Sequence, residues 1–96
     1  MTNHDLCETI NESVRSGNLL TTQELLESGV NVNTANRNGD TLLHMAALRG
    51  NMPMVELLLR HEANASATSV DGLSPRDVAA KFGNQNIVSL LSQKIV

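Results

Sequence analysis

The side chains able to carry acid–base, nucleophilic or metal chemistry are few in this chain, and their spacing argues against all three. There are three histidines, His4, His44 and His61, and one cysteine, Cys7. A histidine acts as a general base beside a nucleophile and a third group that orients it, and His44 has no nucleophile or second ligand nearby at motif spacing. His4-x-x-Cys7 is half of a zinc-site spacing, but no second pair completes it. Cys7 is expected to pack in a first helix and His4 to be solvated, while His61 falls at a helix end, where positive charge is favourable. Asp40, Asp71 and Asp77 stand where turns and helix starts want an acid, which is a simpler role than a general acid and base. The glycines form no phosphate-cradling loop. No catalysis, metal or cofactor is therefore expected.

The elements that hold these residues are organised around Asn38-Gly39-Asp40-Thr41-Leu42-Leu43-His44-Met45-Ala46-Ala47. Asn-Gly signals a turn, because glycine reaches positive φ without a Cβ clash. Thr41 is placed to cap a helix, and the two alanines let another helix approach. The arrangement recurs 33 residues on as Asp71-Gly72-Leu73-Ser74-Pro75-Arg76-Asp77-Val78-Ala79-Ala80. Gly17, Gly50 and Gly83 keep the same 33-residue spacing, and each precedes an asparagine placed to cap the next helix. Gly29 ends a second helix where Glu62 stands one period later, so Glu62 is expected at positive φ.

Three units follow, at about 5–34, 35–68 and 69–96, in a single domain 1–96. In the first, Asp5 and Glu8 read as a capping box, and Leu6, Ile10 and Val14 form a helical stripe. Its second helix carries Leu19, Leu20, Leu25 and Leu26, with either Asn18 or Thr21–Glu24 as its start. Polar Asn11, Glu12 and Ser13 suit an N-terminal cap whose outer side meets water. The second unit has helices over about Leu42–Arg49 and Met52–Arg60, with Pro53 in the first turn of the latter. Met54, Val55, Leu57, Leu58 and Leu59 exceed what one buried face needs, as in a helix covered on both sides. The third begins a helix at Ser74-Pro75-x-Asp77 and another at Gln85 running to about Gln93. Arg76 stands where Leu43 stands, and Ser89, Ser92 and Gln93 are polar, as in a C-terminal cap.

Composition agrees. With one Phe, no Tyr and no Trp, the core must come from aliphatic residues, which suits thin layers of stacked helices. A net charge of −3 disfavours nucleic acid and anionic membrane as main partners. A lone cysteine fits a reducing compartment. No apolar run reaches the ~20 residues of a membrane span. The N-terminus lacks the basic start and apolar core of a signal peptide. Cytosol or nucleus is the expected location.

The period and the pattern turn-Gly-x-Thr-(Pro)-Leu-His-x-Ala-Ala resemble the ankyrin repeat. Leu42 replaces the usual proline, which Pro75 keeps. The resemblance implies an all-α ankyrin-repeat solenoid of about six helices, paired in three helix–turn–helix repeats with projecting β-turns. It implies that His44 hydrogen-bonds within and between turns. It also implies a non-enzymatic module that docks another protein on its turn tips and the concave face of its first helices, as adaptor or inhibitor. The alternative is the recognition part of a larger enzyme, channel or regulator continuing beyond Val96. In the repeat plan the expected partner-binding residues are Leu48, Arg49, Lys81 and Phe82 with Arg15, and Arg37, Asn38, Asp40, Val70, Asp71 and Leu73 at the tips. Leu48 and Phe82 are apolar where stacking does not require it. Phe82 could instead fold back over the end of the last repeat. The expected state alone is a monomer.

Overall fold

The computed structural model describes the backbone of residues 3–94 and the side chains of residues 8–92. The expectations for His4, Asp5, Leu6 and Cys7 lie outside those side chains. Six helices are described: α1 Asn3–Ser16, α2 Leu19–Glu27, α3 Leu42–Arg49, α4 Met52–Arg60, α5 Pro75–Lys81 and α6 Gln85–Lys94. Each consecutive pair is one repeat. The inner helices pack in the order α1, α3, α5 and the outer ones in the order α2, α4, α6, giving a stack of 37 × 26 × 23 Å. This is the all-α solenoid expected from the period.

Local chemistry starts and stops each helix. Asn18 Oδ1 accepts from the Thr21 N–H at 3.1 Å, so Asn18, not Thr21, caps α2. Asn51 does the same for Met54 at 3.2 Å. Asn84 departs from the pattern. Its Nδ2 donates to the Ala47 carbonyl at 2.8 Å, satisfying a C-terminal carbonyl of α3 across the repeat boundary. Ser74 and Asp77 form a reciprocal capping box. The Ser74 backbone N–H, followed by its hydroxyl, holds the Asp77 carboxyl below its ordinary range.

The central repeat supplies most of the core. Leu42, Leu43, Ala46 and Ala47 of α3 and Met54, Val55 and Leu58 of α4 are wholly buried. Burying one such leucine contributes about 2 kcal/mol. Ala46 and Ala47 leave room for the neighbouring inner helices. Ile10 and Val14 complete the stripe from repeat one, and Ile87 and Leu91 that from repeat three. Arg76, at the place of Leu43, is exposed. Asn11, at the place of His44, has its Oδ1 buried with no hydrogen-bond partner. Such an orphan costs about 1–3 kcal/mol.

The turns between repeats follow one plan. The Asn36 N–H donates to the Asp40 carbonyl at 3.0 Å, and Ser69 repeats this with Leu73 at 2.9 Å. Ala35 and Thr41 form an isolated antiparallel bridge. Successive turns touch, because the Val70 N–H donates to the Asn38 carbonyl at 2.9 Å. Gly39 permits that approach: a Cβ there would lie 3.1 Å from the Val70 nitrogen, and its φ is +75°. Farther along, the Asn64 N–H donates to Asn33 Oδ1 at 2.7 Å.

Glu62 has φ 66°, the left-handed value that its equivalence to Gly29 requires. A side chain there costs about 1 kcal/mol or more. Glycine removes that strain but gains freedom in the unfolded chain. Glu62→Gly should therefore raise stability by roughly 0.5–1 kcal/mol. A urea midpoint that falls on substitution would show that the glutamate makes a compensating contact.

Candidate protein-docking cleft

His44 sets the geometry of the concave face. The Thr41 N–H donates to His44 Nδ1 at 3.0 Å, so Nδ1 is an acceptor and the ring proton lies on Nε2. Nε2 then donates to the Leu73 carbonyl at 2.7 Å, in the turn of the next repeat. The ring is 2 % exposed. Nδ1 closes the cap of α3 and Nε2 ties that helix to the following turn, so the residue is a structural bracket with no free nitrogen for chemistry.

Beside this bracket lies a cleft of about 160 Å³ between repeats two and three. Met45 and Val78 join His44 at its buried base, and Leu48 and Phe82 form its apolar sides. Leu48 is 45 % and Phe82 55 % exposed. Neither is held there by the core. One period away the same positions carry Lys81 and Arg49, so the stack tolerates charge at both. Phe82 lines this cleft with its ring more than half exposed.

Six of the expected residues line this cleft together: Asp40, Leu48, Asp71, Leu73, Lys81 and Phe82. The other five do not. Arg37 and Asn38 are exposed at the first turn, and Val70 is exposed at the second. Arg49 is exposed in the last turn of α3. Arg15 is held by Glu12 at 2.8 Å, an exposed ion pair of small energetic weight. Met45 and Val78 were missing from the expected set, although they are 33 residues apart and so occupy equivalent places.

Asp40 and Asp71 do not serve their turns as the sequence suggested. The Asn36 side chain does that work in the first turn, accepting from the Asn38 and Asp40 N–H groups at 2.9 and 3.0 Å. Among the described residues neither aspartate carboxylate has a hydrogen-bond or ion-pair partner, and neither does Lys81. A larger groove of about 510 Å³ between α1 and α2 is lined by Glu8, Thr9, Glu12, Ser13, Ser16, Asn18 and Thr21. The residues that line it are all of polar type, and none offers a large apolar side chain as an anchor. Among the described residues no group of three or more His, Cys, Asp or Glu could hold a metal ion. No described helix is long and apolar enough to cross a membrane.

Helix pairs at a 33-residue period, with turns bracketed by Thr41 and His44, define a class of stacked-repeat protein. Residues 10–95 match ankyrin repeats in 3 copies, and the chain belongs to the ankyrin-repeat family. Ankyrin repeats are a protein–protein interaction module. The chain is 37 % identical over 87 residues to the Notch-regulated ankyrin repeat-containing protein of Xenopus tropicalis, covering 86 % of this chain and 76 % of that one. It is 35 % identical over 89 residues to the inactive serine/threonine-protein kinase TEX14 of Bos taurus, covering 93 % of this chain but 6 % of the kinase. Potassium channel AKT3 of Oryza sativa subsp. japonica is 43 % identical over 65 residues, which is 67 % of this chain and 7 % of the channel.

Proposed function

We propose that this chain is a non-enzymatic docking module, an adaptor or inhibitor, that holds a partner protein in the cleft between repeats two and three and on the adjoining turn tips. The observation that carries this reading is the pair Leu48 and Phe82, two large apolar side chains left half in water on the concave face. Apolar side chains at the centre of a surface, with charge around them, are the usual form of an interface core and rim. The stacked repeats preform the surface, which lowers the ordering cost of binding. The chain works as a monomer in the cytosol or nucleus, consistent with a lone cysteine and an acidic balance that does not suit nucleic acid or anionic membrane.

Capture of partners from native extract on the immobilised chain, followed by reconstitution, tests this. An adaptor holds two captured proteins in one ternary complex, whereas an inhibitor binds one and lowers its activity. Sedimentation as an obligate dimer, or no partner bound at micromolar concentration, would contradict it. The small shares of TEX14 and AKT3 that the chain covers favour a second reading, in which it recognises partners for a larger protein. The reading frame of the gene separates the two.

A further inference from the structure

The charges around the cleft are segregated. Asp40 and Asp71 lie at its turn-tip end, before the caps of α3 and α5, while Lys81 lies in the last turn of α5. Among the described residues, two carboxylates of like sign share one end without an ion-paired cation, and an ammonium stands at the other without an ion-paired carboxylate. Leu48 and Phe82 stand at the Lys81 end, since Leu48 and Lys81 occupy equivalent places and Phe82 follows Lys81 at the end of α5. A partner presenting only acids would be repelled at the tips, and one presenting only bases would be repelled at Lys81.

We propose that the occupant is a protein segment of dipolar character. It carries one apolar side chain between Leu48 and Phe82, a basic residue toward Asp40 and Asp71, and an acidic residue toward Lys81. This deepens the docking reading and rests on it. A space of 160 Å³ is close to that of an apolar cavity holding one benzene-sized group, so a single side chain fills it. The seven residues of α5 span about 10 Å, and an extended chain covers that in about three residues. The base and the acid therefore sit about three positions apart, with the anchor next to the acid.

The test is titration of the 15N-labelled chain with capped peptides, followed through its backbone amides. The dipolar probe is acetyl-Ser-Arg-Ser-Leu-Glu-Ser-amide. The comparison peptides replace Arg by Glu, Glu by Arg, or Leu by Ala. The dipolar peptide should shift the amides of Leu48, Asp71, Lys81 and Phe82, and bind at least about threefold more tightly than each comparison peptide. In Lys81→Glu the preference should move to the peptide with two arginines. Equal affinity for all three leucine peptides at these amides would overturn the charge pattern and leave docking in the cleft standing. No shift at the cleft from any peptide at millimolar concentration would overturn this inference, while a partner protein still covering Leu48 and Phe82 would preserve the wider reading. Shifts confined to α2, α4 and α6 would contradict both.

Discussion

His44→Ala should lower the stability of the chain by roughly 3 kcal/mol. The ring is buried, and its two nitrogens satisfy the Thr41 N–H and the Leu73 carbonyl. Alanine leaves the Thr41 N–H without its partner, at about 1–3 kcal/mol where water does not reach it, and leaves the Leu73 carbonyl with the Ser69 N–H alone. It also leaves a cavity that the rigid stack closes only in part. Against a total of about 5–15 kcal/mol for a domain, this is a large fraction. The loss should be seen as a lower urea midpoint. The effect should extend to the cleft, because the turn that carries Asp71 keeps its own Ser69–Leu73 bond but loses its tie to α3. A midpoint lowered by less than about 1 kcal/mol equivalent would show that water replaces the ring at both contacts.

Phe82→Ala and Leu48→Ala should each weaken partner binding by roughly 1–3 kcal/mol, or about ten- to a hundredfold, with little change in the unfolding midpoint. The separation of the two readouts follows from exposure. Side chains 55 % and 45 % exposed contribute little to the core, but a partner that covers them removes their apolar surface from water. Leu20, at 68 % exposure on α2, is the control, since it lies outside the cleft. Leu20→Ala should leave affinity and midpoint alike unchanged. If Phe82→Ala instead removes several kcal/mol of stability and leaves affinity alone, the ring belongs to the fold and the cleft is not the site.

What could be read from the sequence follows the period. The φ of Glu62 was legible because Gly29 stands one repeat earlier, and a repeat reuses its backbone. The inner-helix alanines, the capping box at Ser74 and the exposure of Arg76 were legible on the same ground. Contacts that cross between repeats were less so, since they depend on how far one unit is rotated on the next. Asn84 looked like Asn18 and Asn51, yet its amide reaches back to Ala47. Asp40 and Asp71 looked like turn residues, and only the position of the Asn36 side chain shows that the first turn is already satisfied. For the same reason Arg15, Arg49 and Lys81 looked alike in the sequence, as basic residues at the ends of the inner helices. The structure pairs Arg15 with Glu12 and gathers Lys81 with the two aspartates instead.

The most direct test of the docking account is the footprint of a captured partner, read by hydrogen exchange on the free and bound chain. Binding should slow exchange in the turns around Asp40 and Asp71 and at the ends of α3 and α5 that carry Leu48 and Phe82, and leave α2 and α6 unchanged. Protection confined to the outer helices, with the cleft exchanging as in the free chain, would contradict it.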